Sequence, residues 1–223
     1  PTPATASYET EHSLKLNLDY ATELFENYTT NIGLFVQRSS GRPYSWTLGS
    51  FRDDDFGDQD LFDDSDVYLP YIPTGPNDPA VDFDCLDNQG NQLCLTYEEI
   101  IAHLEANGLS TEGGYLSRNA YRSPWNTQTN LSIRQEVPGL FDNNKGEVYF
   151  TIFNLLNLID SSKGDIYYNR FADTQQILFD YDLNEDGQYQ YQVPFGGYRY
   201  GSPATYRADK SVWRLKAGFK FTF

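Results

Sequence analysis

The chain has 223 residues, with 16 basic against 32 acidic side chains and a formal net charge of −16. Phosphate binding needs a basic surface, so this balance excludes a nucleic-acid partner. Aromatic content is 16 %, with 18 Tyr and 15 Phe, which suits strands but does not by itself separate a membrane barrel from a glycan-binding β-protein.

The chain opens Pro1-Thr2-Pro3 and contains no Met. It has no charged n-region and no apolar h-region there, so we expect a mature product or a piece of a longer protein. From His12 to Leu24 polarity alternates: Leu14, Leu16, Leu18 and Tyr20 on one side, Ser13, Lys15, Asn17 and Asp19 on the other. Period two is the signature of a strand with one apolar and one polar face. A turn at Phe25-Glu26-Asn27-Tyr28 leads to a second strand, Thr29 to Ser39, in which Ile32, Leu34 and Val36 oppose Asn31, Gly33 and Gln37. The two read as an antiparallel hairpin.

Residues 41–127 lose periodicity and carry 16 Asp/Glu against 4 Arg, a local balance of −12. A connection of that length is functional or disordered in most folds. One short helix is expected inside it, opened by a capping box of Thr96 and Glu99 and stopped near Gly108, with Ile100, Ile101 and Leu104 as its apolar side. Cys85 and Cys94 form an even pair at short spacing, which predicts a disulfide and an oxidising compartment.

A third strand is expected from Thr127 to Val137, ended by Pro138-Gly139. After a turn from Leu140 to Gly146, a fourth runs from Glu147 to about Asn157, with apolar residues on both faces. Residues 158–210 form a second long excursion. Within it, Gln176–Tyr181 and Gln188–Gln192 flank Asn184-Glu185-Asp186-Gly187 and predict a hairpin. The last strand is the cleanest: Trp213, Leu215, Ala217, Phe219, Phe221 and Phe223 share one face, Arg214, Lys216, Gly218, Lys220 and Thr222 the other.

Connection lengths alternate short, long, short, long along these strands. In an antiparallel sheet both long ones then leave from the same end, the asymmetry of outer-membrane barrels. No apolar run is long enough for a membrane helix, but spanning strands need only about 9–11 residues each. Thirteen residues tilted near 45° rise roughly 30 Å, the thickness of the hydrocarbon core. Lys15, Arg134, Lys216 and Lys220 on the polar faces suit a wet lumen.

The closing stretch, Trp213-Arg214-Leu215-Lys216-Ala217-Gly218-Phe219-Lys220-Phe221-Thr222-Phe223, resembles the last strand of TonB-dependent receptors. Gly41–Ser45, Arg118–Trp125, Leu131–Gly139 and Ile152–Asn157 are similar, in the same order, to the Oar-like branch of that family. The resemblance implies an all-β fold: a segment of about five spanning antiparallel strands, the last of a barrel of roughly 22, with two long extracellular loops, one holding a short helix. All of 1–223 would then belong to one β-barrel domain, with 41–127 and 158–210 as those loops. It implies that Trp213, Phe219, Phe221 and Phe223 belong to the signal read by the barrel-assembly machinery. It places the chain in the bacterial outer membrane, loops outside and C-terminus periplasmic. Its partners would be the rest of the barrel and plug, the TonB system through that plug, lipid, and an unknown extracellular ligand.

Asp182-Leu183-Asn184-Glu185-Asp186-Gly187 is similar to the front half of an EF-hand loop, which makes Asp182, Asn184 and Asp186 candidate Ca²⁺ ligands. Val193 stands where the bidentate Glu is required and the flanks read as strands, so a β-turn is expected instead, with no cofactor. Eight Asp between Asp53 and Asp66 show no ligand spacing and read as a solvated acidic loop. His12 and His103 lie in unrelated settings and no catalytic motif appears, so no enzyme is expected. The alternative is a soluble secreted β-sandwich that binds Ca²⁺ or glycan, with Leu14 and Phe219 buried in a core.

Overall fold

The computed structural model describes residues 5–50, 68–139, 141, 144–168 and 175–221. In chain order its elements are β1 (Ser13–Phe25), β2 (Tyr28–Ser39), β3 (Pro43–Ser50), β4 (Tyr71–Ile72), α1 (Tyr97–Ala106), β5 (Gly114–Tyr115), β6 (Tyr121–Arg122), β7 (Asn126–Pro138), β8 (Lys145–Phe153), α2 (Leu155–Ile159), β9 (Tyr167–Tyr168), β10 (Gln175–Leu183), β11 (Tyr189–Gln192), β12 (Thr205–Tyr206), α3 (Ala208–Ser211) and β13 (Arg214–Phe221). The fold is mostly β and mostly antiparallel. Among the described residues no helix is long and apolar enough to cross a membrane, which says nothing of crossing by strands. The chain forms two compact units: a sheet unit of Thr10–Gly41, Ser123–Tyr168 and Ala204–Phe223, and an excursion unit of Pro1–Glu9, Arg42–Arg122 and Asn169–Pro203.

The sheet unit is built on one five-stranded antiparallel sheet, ordered β1-β2-β7-β8-β13. The alternation of apolar and polar residues selects these strands, and most of their ends fall within two residues of the expected ones. Asn27, at φ 70°, makes the tight turn between β1 and β2, a left-handed conformation that Asn tolerates. The fourth strand is a correction. It stops at Phe153 rather than near Asn157, because Asn154 turns left-handed at φ 55° and starts α2. The Asn154 side chain is buried, and its amide donates to the carbonyls of Gly164 and Ser211, while its backbone N–H donates to Asn130 Oδ1 at 3.1 Å. One residue ties these chain segments together, and Leu155-Leu156, good helix formers, continue into α2.

Residues 41–127, expected as a long loop with one short helix, also hold strands β3, β4, β5 and β6. β3 is an inner strand of a four-stranded sheet ordered β11-β10-β3-β6, and it pairs parallel with β10 from the other excursion. The two long connections thus fold together. Tyr44, Trp46 and Leu48 of β3 enter a core with Leu178, Phe179, Tyr181, Tyr191 and Ile72. Ser45 and Thr47 point to the other face. α1 lays Ile100 and Leu104 on the same core, both fully buried. It opens with the expected capping box: Glu99 N–H donates to Thr96 Oγ1 at 3.3 Å and Thr96 N–H to Glu99 Oε2 at 2.9 Å. Gly108, at φ 64°, follows its end. Fully burying side chains as large as Trp46 or Phe179 contributes about 2–3 kcal/mol each.

Candidate functional site

The sheet unit presents two unlike faces, and the strand register assembles each into rows. One row runs Leu18, Leu34, Leu131, Ile152, Leu215 across all five strands. The next runs Tyr20, Ile32, Ile133, Phe150, Ala217. Among the described residues no second layer covers these rows: Leu18 is 53 % exposed and Leu215 56 %, and Phe219 on the same face of β13 is 59 % exposed. Leu16 is also exposed, and Ile133 and Phe221 are partly so.

The opposite face is polar. One row is Asp19, Gly33, Ser132, Thr151, Lys216; its neighbour is Asn31, Arg134, Tyr149, Gly218. Arg134, Glu147, Tyr149, Thr151 and Lys216 line a shallow hollow of about 340 Å³ on it. The Lys216 ammonium lies 5.9 Å from the Tyr149 ring centroid, a cation–π approach.

Aromatic residues gather at both ends of the strands. Where the long connections leave, the Arg38 guanidinium lies 5.1 Å over the Trp125 ring and His12 stacks on that ring at 6.0 Å. Trp213 is at the same end and donates its backbone N–H to Asn157 Oδ1 at 3.3 Å. At the other end Phe219 and Phe221 stack at 6.4 Å on β13, and Phe25 and Tyr28 flank the β1–β2 turn at the opposite edge of the sheet. Trp213, Phe219 and Phe221 therefore lie along one strand and its approach; Phe223 lies outside the described residues.

In the excursion unit, Cys85 and Cys94 form the expected disulfide, with Cα atoms 5.3 Å apart. Asp182, Asn184 and Asp186 fall at the β10–β11 hairpin. Asn184 Oδ1 accepts the backbone N–H groups of Asp186 at 3.0 Å and Gln188 at 2.9 Å, and Gly187 takes the left-handed position at φ 76°. Asp182 Oδ1 accepts the Leu183 N–H at 2.9 Å. Asn184 Oδ1 and Asp182 Oδ1 are thus engaged in shaping the turn. Among the described residues no three His, Cys, Asp or Glu side chains gather as a metal site. The Asp53–Asp66 run lies outside the described residues.

The loop tyrosines pack the unit together. Tyr198 stacks on His103 at 4.2 Å, with Tyr200 edge-on at 5.3 Å, and burial holds the His103 imidazole below its ordinary pKa. The Tyr71 ring meets Tyr115 at 5.3 Å and its hydroxyl donates to Asp78 Oδ2 at 3.0 Å. Burial opposes the charge on Asp78. The N–H and hydroxyl of Thr74, the N–H of Ala80 and the Tyr71 hydroxyl outweigh it and pull the pKa down to about 2. Sequence reading passed over Asp78, whose only signal is its place in a Pro/Gly-rich turn. It also passed over a group on the polar side of β3: Ser45, Thr47, Leu69, Arg118 and Gln175, around a cavity of about 390 Å³.

Compared with protein-family models, with curated proteins and with solved structures, the chain finds no match. Its functional reading rests on the geometry and chemistry of these surfaces.

Proposed function

We propose that this chain is the C-terminal part of a bacterial outer-membrane β-barrel, a receptor and transporter of the TonB-dependent, Oar-like kind. In this reading the five-stranded sheet is barrel wall, its apolar rows face hydrocarbon and its polar rows face the lumen. The two excursions form an extracellular ligand-capture body, and the C-terminus is periplasmic. The observation that carries the reading is the uncovered apolar band from Leu18 to Leu215, backed by a face that bears Arg134 and Lys216. A soluble sandwich buries such a band against a second sheet. Lipid covers it without one. Aromatic residues at both strand ends suit the two membrane interfaces.

Within the described residues β1 and β13 each pair on one side only. An open strand edge in lipid leaves backbone groups unsatisfied at several kcal/mol each. The reading therefore requires further strands, from the rest of the receptor, against both edges. Energy would reach the cargo through a plug outside this chain, engaged by the TonB system. No catalytic step and no cofactor belongs to this role.

Membrane fractionation tests it. The protein is expected in the outer-membrane fraction, released by detergent and not by carbonate or high salt. A folded monomer in plain buffer, with no detergent, would overturn the reading.

A further inference from the structure

On the polar side of the β3–β10 pair the register sets Ser45 beside Gln175 and Thr47 beside Ile177. Ser45, Thr47 and Gln175, with Leu69 and Arg118, line the cavity of about 390 Å³, within the size range of small-ligand sites. Thr47 is 1 % exposed, and its hydroxyl has no hydrogen-bond partner among the described residues. A buried hydroxyl left unpaired costs about 1–3 kcal/mol in a folded chain, so it calls for a reason.

The neighbouring groups are held in place. Ser45 Oγ accepts the Asn119 N–H at 2.8 Å and donates to Asn119 Oδ1 at 3.1 Å. Asn119 is buried and left-handed at φ 55°, and its amide donates to the Thr5 carbonyl at 2.6 Å. The backbone that carries Arg118 is fixed by that clasp. Arg118 itself is exposed and forms no ion pair with a described residue. Among the described residues the lining thus offers a guanidinium, a free hydroxyl and an amide, with one apolar side chain and no carboxylate.

We propose that this cavity binds the carboxylate of a small organic ligand. Arg118 takes the two oxygens in the paired geometry that a guanidinium offers, and the Thr47 hydroxyl donates from the cavity floor. A dianionic phosphate would call for a second cation, which the described lining lacks; a single carboxylate balances the one guanidinium found there. Leu69 covers the ligand's carbon skeleton. The proposal gives a chemical class to the capture role above and rests on that reading only for where the ligand comes from. Fractionation decides location, whereas the following titration decides chemistry, so the two can fail separately.

The test is calorimetric titration of the full chain in detergent with N-acetyl-alanyl-alanine, its C-terminal amide, and inorganic phosphate. The free acid is expected to bind saturably and the amide at least tenfold more weakly. Arg118→Gln should weaken the acid at least tenfold with Tm unchanged. Thr47→Val should weaken it severalfold while raising Tm, because the unpaired hydroxyl is gone; a merely structural Thr47 would move Tm alone. Equal binding of acid and amide, phosphate binding in place of the acid, no saturable binding by the folded chain, or full affinity in Arg118→Gln would each overturn the proposal.

Discussion

Two buried titratable residues in the excursion unit set how it answers acid. His103 is packed among Tyr198, Tyr200 and Phe179, and desolvation lowers its pKa in the folded state. The unfolded chain then binds the proton first, so stability starts to fall as pH drops through the ordinary His value of about 6.5. Asp78 acts lower. Its folded pKa of about 2 lies below the ordinary carboxylate value, so its contribution is complete above about pH 4 and is lost as pH falls toward 2. That contribution is about 2 kcal/mol. Unfolding titrations in urea should therefore show two acid steps. His103→Phe is expected to remove the upper step and leave the lower one. Asp78→Asn should cost about 2 kcal/mol at pH 7 and abolish the lower step. A single step that survives both substitutions would show that other groups control acid unfolding.

At the scale of the strand, β13 depends on a glycine that meets an aromatic ring. A Cβ on Gly218 would lie 2.3 Å from the Tyr149 hydroxyl and ring, because Tyr149 of β8 lies across the glycine on the polar face. Gly218→Ala should cost about 1–3 kcal/mol, the usual range for overpacking. In a Tyr149→Ala background the same change should be neutral or stabilising, since alanine suits a strand better than glycine does. The measurement is a double-mutant cycle in detergent-solubilised protein; a coupling near zero would mean that the ring moves aside freely. Elements of this kind also show what was legible beforehand. β1, β2, β7 and β13 follow from period-two alternation, and α1 from Thr96 and Glu99, because those signals are local. The end of β8 was hidden, since Asn154 acts through carbonyls 10 and 57 positions away. β3 was hidden for the same reason: its place is decided by pairing with β10, far along the chain, and Gly41-Arg42-Pro43 reads as loop until that partner is known. The cavity beside Thr47 needed both strands at once, so no stretch of sequence announces it.

For the molecule as a whole, the question is what touches each side of the five-stranded sheet. The chain has two Cys, and both are in the disulfide, so a third cysteine can be labelled alone. Leu131 and Ser132 are adjacent on β7 and belong to opposite faces. Nitroxide labels at Leu131→Cys and Ser132→Cys, in outer-membrane vesicles, should report different surroundings. If hydrocarbon covers the apolar rows, the label at 131 relaxes with oxygen, which concentrates in lipid, and hardly with a water-soluble nickel chelate. The label at 132 should show the reverse. The pattern should repeat at Ile133 and Arg134, two residues further along, because side chains alternate strictly along a strand. A sandwich core gives a different outcome: a label at 131 reached by neither reagent and a label at 132 reached by the chelate. Water on both sides gives a third, with the chelate reaching both positions. Only alternation between oxygen and chelate is consistent with a wall that has lipid on one side and an aqueous lumen on the other.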